Sequence, residues 1–244
     1  ILFSRNIKEP KQVLNLTQSI KKILGKEAMI LIDQEGGRVS RLNKSNWKTY
    51  PDANYFGKIA NISLAKAKNL TYKNFKDIGL ILNKLGINYN CAPVLDLKIK
   101  RASSVIGDRA FSRSPEIVSQ LSLQACKGLL SENVFPILKH IPGHGRAKVD
   151  SHFYLPIIKS SKKVLQEDFY PFIKLNKQPL AIIAHIKYLA LDKEKCATFS
   201  KSIISFINNK LGFKGILFSD DLCMKALKGS YTTRARNAIK AGCD

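Results

Sequence analysis

The sequence predicts an α/β fold of the TIM type, a (β/α)8 barrel that is incomplete at both ends of this chain. Three observations predict it. Short apolar runs rich in β-branched residues alternate with long segments of helical spacing, the pattern of parallel strands covered by helices. Nearly every apolar run ends in a polar or charged residue, namely Asp33, Asp96, His140, His185 and Asp220. A barrel builds its active face from the ends of many strands, whereas a doubly wound sheet gathers its site at one switch point, usually beside a glycine-rich loop. The third observation is that no such loop is present, because Gly36-Gly37 is not a G-x-G-x-x-G motif and no P-loop occurs.

The elements follow in order. Ile1-Leu2-Phe3 reads as the end of a strand already under way. Helical spacing over 11–24 stops at Gly25, and the run 29–32 leads to Asp33. A second helix over 63–85 stops at Gly86 before the run 87–93, which leads to Asp96. A helix over 115–130 precedes the run 136–138, which leads to Lys139 and His140. A helix over 162–175 precedes the run 180–184, which leads to His185. A helix over 201–211 stops at Gly212 before the run 215–218, which leads to Ser219 and Asp220. A last helical segment over 232–241 ends at Gly242, where another strand is expected to start. Six strands are counted where a barrel needs eight.

The chain of 244 residues suits one globular domain spanning 1–244. Its formal net charge of +23 raises a polyanion as a partner. The basic residues are scattered lysines beside Ile and Asn, as in Ile20-Lys21-Lys22-Ile23, and do not gather into a block with interleaved aromatics. That argues against nucleic acid, though a basic polyanion-binding module remains the alternative from a different functional class. The five cysteines are odd in number, form no C-x-x-C, and mostly adjoin apolar segments. Reduced thiols in a cytoplasmic protein are the simplest account. No apolar run approaches the roughly 20 residues of a membrane span.

Three of the four histidines lie in the stretch from Lys139 to His152, as His140, His144 and His152. Three readings of this stretch stay open. It is a zinc site, although it lacks H-E-x-x-H and its Pro and Gly residues give it no fixed face. It is a polar loop with incidental histidines. Or Asp150 orients His152 as a general acid/base titrating near neutral pH. Asp220 and Asp221 close an apolar strand at a cost in desolvation and mutual repulsion. One of the two is accounted for as an N-cap of the helix-like 222–227, which leaves the other to face the site. Asp33, Glu35, Arg38 and Arg41 surround the Gly36-Gly37 pair at another strand end, where Asp33 can accept sugar hydroxyls and an arginine can donate to them. A solvated charged loop is the plainer account. Asp108-Arg109 is read as a surface ion pair in the first instance.

Taken together and in order, these residues resemble a known family. The motifs are Ile32-Asp33-Gln34-Glu35-Gly36-Gly37-Arg38-Val39, Ala92-Pro93-Val94-Leu95-Asp96, Gly107-Asp108-Arg109-Ala110-Phe111, Lys139-His140-Ile141-Pro142-Gly143-His144-Gly145, Asp150-Ser151-His152, Ala184-His185 and Phe218-Ser219-Asp220-Asp221-Leu222. They are similar to the N-terminal barrel of family-three β-N-acetylhexosaminidases, over essentially the whole chain. The resemblance implies a retaining glycosidase that removes β-linked N-acetylglucosamine from muropeptides in peptidoglycan recycling, or from chito-oligosaccharides. It implies Asp220 as nucleophile and His152, paired with Asp150, as acid/base. It also implies sugar contacts by Asp33, Arg41, Arg109, Lys139 and His140, with no metal and no cofactor. A β-glucosidase of the same family is the alternative enzyme. Two departures from the family pattern are Arg146, where Asp is frequent, and Cys223, where Ser is common.

Overall fold

The computed structural model describes residues 1–43, 45 and 47–244; Lys44 and Asn46 lie outside the described residues. In chain order the helices are α1 (Pro10–Leu24), α2 (Ala53–Ala60), α3 (Leu64–Lys84), α4 (Pro115–Leu130), α5 (Lys162–Lys174), α6 (Lys201–Asn209) and α7 (Tyr231–Ala241). The strands are β1 (Leu31–Ile32), β2 (Gln34–Gly36), β3 (Val39–Ser40), β4 (Tyr89–Asn90), β5 (Phe135–Pro136), β6 (Leu138–Ile141), β7 (Ile157–Ile158), β8 (Leu180–Ile183), β9 (Lys187–Tyr188) and β10 (Ile216–Ser219). All six long helical segments read from the sequence are present. The short α2 was not read, nor were the two-stranded pairs β2–β3 and β7–β9.

The helix boundaries have local causes. Serine hydroxyls at Ser63, Ser200 and Ser230 accept the backbone N–H three residues on, satisfying donors at the starts of α3, α6 and α7. Pro10 opens α1 at the position where a missing N–H costs nothing. The stop after α3 needs Gly86 twice over. Its φ is +73°, and a Cβ there would meet the Thr17 hydroxyl at 2.7 Å.

The chain divides into two compact units. The first comprises Ile1–Pro93 and Gln120–Ile137. Its centre is the parallel sheet β1-β4-β5, with Leu2 bridged to Ile32. Helix α3 buries Ala67, Thr71, Phe75, Ile78 and Leu82, a stripe at helical spacing. Residues 120–130 of α4 pack on it so closely that a Cβ on Gly128 would lie 2.6 Å from the Tyr72 carbonyl oxygen.

The second unit comprises Val94–Ser119 and Leu138–Asp244. Its centre is the parallel sheet β10-β8-β6, with Val94 bridged to Lys139. Every residue of β6 and β8 is buried, as a parallel strand covered on both faces requires. The segment 222–227 departs from its sequence reading: it forms successive turns, not a helix. Four cysteines, Cys91, Cys126, Cys196 and Cys243, are buried free thiols, and Cys223 is exposed.

Candidate active site

Within the second unit, side chains at the C-terminal ends of the parallel strands form one polar cluster. β6 supplies Lys139 and His140, both almost fully buried. The buried strands β6 and β8 hold Lys139 and Ala184-His185 in fixed register, since Lys139 pairs with Ile182 and the Ala184 N–H donates to Ile141. β10 delivers Asp220, whose backbone N–H donates to the Ile183 carbonyl at 3.3 Å.

Asp96 is the hub of the cluster and is 1% exposed. Its Oδ2 lies 2.6 Å from His140 Nδ1, and its Oδ1 accepts the backbone N–H of His144 at 2.6 Å. Burial alone would raise its pKa. The His140 imidazole, its hydrogen bond and the His144 amide outweigh burial and hold the carboxyl below the ordinary range. An ionised Asp96 in turn fixes the His140 ring and leaves Nε2 of that ring for other work. The sequence had marked Asp96 as a strand end without giving it a role; the signal available was its position after Pro93-Val94-Leu95.

Asp220 is half-buried. Burial pushes its pKa up, but His140, the Asp221 N–H bonded to Oδ1 at 2.8 Å, and Lys139 bring it below the ordinary value. It is therefore a carboxylate at neutral pH with cationic and N–H partners on several sides. Asp221 is turned to a structural task, its Oδ1 accepting the Cys223 N–H at 2.8 Å. That is the cap-like role foreseen for one of the pair, performed on a turn instead of a helix. His185 is fully buried, with Nδ1 2.6 Å from the Thr198 hydroxyl and Nε2 3.1 Å from the Asp221 carbonyl. Burial holds its pKa down, so the neutral ring donates from Nε2 to that carbonyl and accepts the hydroxyl proton at Nδ1.

The loop after β6 carries the remaining histidines. His144 is buried, and burial with the neighbouring His140 charge depresses its pKa to about 4. Its Nε2 lies 3.1 Å from the Ser151 hydroxyl. His152 contrasts with it, since its side chain is 60% exposed. Asp150 Oδ1 takes the His152 Nδ1 at 2.6 Å and the His152 backbone N–H at 2.8 Å. Nδ1 is thereby committed, which leaves Nε2 as the ring nitrogen for proton transfer. The His152 carbonyl accepts the Lys225 N–H at 3.1 Å, which ties this loop to the segment following Asp220. Arg109 sits half-buried in a 3-10 turn, where Nη1 donates to the Val105 carbonyl at 3.0 Å.

In the first unit, Arg41 Nη2 donates to Asp33 Oδ2 at 2.9 Å. Their loop is held by Gln34, 1% exposed, whose side-chain oxygen accepts the N–H groups of Arg41 and Leu42 at 3.0 Å. Asn90 on β4 exchanges two hydrogen bonds with the Gln34 backbone. Gly36 and Gly37 both have positive φ, and a Cβ on Gly36 would strike the Pro51 carbonyl oxygen at 2.3 Å. The roles of Gln34 and Asn90 were not read from the sequence, because a buried amide carries no motif of its own. Among the described residues, no group of three or more His, Cys, Asp or Glu side chains is arranged to hold a metal ion.

The family model described as "Glycosyl hydrolase family 3 N terminal domain" matches residues 1–244. A β-hexosaminidase of Nitrosomonas eutropha is 37% identical over 253 residues, covering 100% of this chain and 71% of that protein. One from Thioalkalivibrio sulfidiphilus is 35% identical with the same coverage. Among solved structures, NagZ from Neisseria gonorrhoeae in complex with N-trifluoroacetyl-D-glucosamine superposes with a TM-score of 0.92 at 35% identity, over 100% of this chain and 71% of that one. A family 3 β-N-acetylglucosaminidase from Paenibacillus sp. superposes with a TM-score of 0.90 at 32% identity, over 100% of this chain and 47% of that one. With the family model matched from end to end and curated relatives at this level of identity, the chain belongs to glycosyl hydrolase family 3, as a glycoside hydrolase of the β-hexosaminidase type.

Proposed function

We propose that the protein is a retaining β-N-acetylglucosaminidase that acts on muropeptides in the cytoplasm during peptidoglycan recycling. The observation that carries the reading is Asp220, a half-buried carboxylate kept ionised by His140, Lys139 and the Asp221 N–H at the end of β10. Its similarity to a protein crystallised with an N-acylglucosamine analogue supports the sugar class. The (β/α)8 barrel, with 1–244 as one catalytic unit, is part of the same proposal.

In this mechanism Asp220 attacks the anomeric carbon as the glycosidic bond breaks. His152 donates its Nε2 proton to the leaving oxygen. A covalent glycosyl-enzyme results, and the neutral imidazole then takes a proton from the water that resolves it. An ordinary retaining enzyme uses two carboxyl groups, but an imidazole titrates near neutrality and can serve as acid in one step and base in the next. Asp150 supports both steps by fixing the ring through Nδ1. Lys139, His140 and Arg109 are proposed to bind sugar hydroxyls and the acetamido group, as are Asp33 and Arg41 from their loop in the first unit.

The test is hydrolysis of nitrophenyl N-acetylglucosaminide against nitrophenyl glucoside, followed by a purified muropeptide. Turnover of the first and of the muropeptide, with the glucoside poor, is the expected result. A preference for the glucoside would replace this reading with a β-glucosidase.

A further inference from the structure

The second unit contains a cavity of about 320 Å³ that plays no part in the chemistry above. It is lined by Lys98, Lys100, Arg113, Arg146 and Glu167, with Ile99 and Pro115 between them. Four of the five charged groups are cations. The one lining acid is already engaged, since Glu167 Oε2 takes the Arg146 Nη2 at 2.7 Å. Arg146 Nε is bonded to the buried Asp168 beneath. Lys100 and Arg113 make no ion pair among the described residues and are exposed at the rim. Pro115 adds the first turn of the 16-residue helix α4, whose N-terminal end also favours negative charge.

Much of the excess of lysine elsewhere in this chain is solvent-exposed. Here the cations border a single concavity, and their mutual repulsion is relieved by an anion seated between them. The volume lies at the lower end of the range of about 300 to 1,000 Å³ usual for small-molecule sites, large enough for an acid-bearing group of sugar or short-peptide size.

We propose that this cavity is an anion site that takes a carboxylate or phosphate group, supplied by the leaving part of the substrate. Its position favours that source. Lys98 leaves the C-terminal end of the strand bridged at Val94, and Arg146 lies between the end of β6 and His152. Two of the cavity's lining segments thus follow directly on the strands that end in Asp96 and His140. The assignment to the leaving group rests on the glycosidase reading, whereas anion binding itself does not.

The experiment has two arms. In the first, inorganic phosphate is titrated calorimetrically into the full chain at fixed ionic strength in chloride. The variants are K100E/R113E and, as a control, K22E on α1, which changes one lysine that does not line the cavity. Saturable binding that weakens roughly tenfold or more in K100E/R113E, and is kept in K22E, is expected. Weak, unsaturable binding alike in all three would show only a solvated basic face and overturn the site. In the second arm, N-acetylglucosaminides with a neutral and a carboxylated aglycone of equal leaving ability are compared. A lower KM for the carboxylated one, lost in K100E/R113E while the neutral substrate is unaffected, is expected. Saturable phosphate binding with equal KM values would assign the site to a free anion and overturn the leaving-group source. Saturable phosphate binding with no turnover of either glycoside would sink the glycosidase reading and leave the anion site standing.

Discussion

At the scale of single residues, the two adjacent aspartates differ in their partners, and the two histidines differ in their burial. Asp220 faces His140, His185 and Lys139, while Asp221 closes a turn through the Cys223 N–H. Asp220→Ala is therefore expected to abolish turnover, and Asp221→Ala to leave substantial activity in protein that still folds. A slow fluorinated sugar followed by peptide mass spectrometry places the adduct; a label on Asp221 would reverse the assignment. His152 is exposed and oriented, whereas His144 is buried and holds its proton poorly at neutral pH. His152→Ala is expected to slow substrates with poor leaving groups by about 10² to 10⁴-fold and nitrophenyl substrates far less. Equal losses on both would contradict the acid role. The sequence already contained both candidates at each point, with three readings of the histidine stretch. Choosing among them needed burial and partners, which are set by groups distant in the chain such as Asp96.

At the scale of elements, the histidine loop is fastened to α5. Arg146 bonds Asp168 and Glu167, and a Cβ on Gly143 would press on the Asp168 Cβ at 2.9 Å. Burial lifts the Asp168 pKa to about 6 in spite of Arg146, above the unfolded value near 3.8. Between these two pH values the folded state keeps a proton that the unfolded chain has lost, so this group's contribution to stability falls as pH rises. Thermal melts of Asp168→Asn and the parent are expected to diverge between pH 4 and 6, the parent losing stability relative to the variant, with no further change above. Parallel melting curves would show that Asp168 does not titrate there. A packing test belongs to α3 and α4. Gly128→Ala drives a methyl group to 2.6 Å from the Tyr72 carbonyl oxygen, and backbone cannot yield cheaply there. A loss of about 1 to 3 kcal/mol in urea denaturation is expected, and a neutral result would mean that the two helices can part.

At the scale of the whole molecule, the charge of +23 sets a global term. Like charges repel more in the compact state than in the unfolded chain, and salt screens them within about 10 Å at 0.1 M. The Tm is expected to rise as sodium chloride goes from low ionic strength to about 0.1 M; a fall would mean that specific ion pairs such as Arg41–Asp33 outweigh the repulsion. The sequence by itself determined what is local. Helix spans followed from spacing and from the stops at Gly25, Gly86 and Gly212. The alternation of strand and helix, together with motif order, was enough to identify the family. The tertiary structure alone decided which polar groups meet. It set Asp96 under His140, Thr198 against His185 and Asp168 under Arg146, and it made a turn where Leu222 to Leu227 had a helical pattern. The reason is that helix signals act over three or four residues, whereas these pairs join positions 13 to 44 residues apart. Their burial and charge state exist only once the parallel strands are in register.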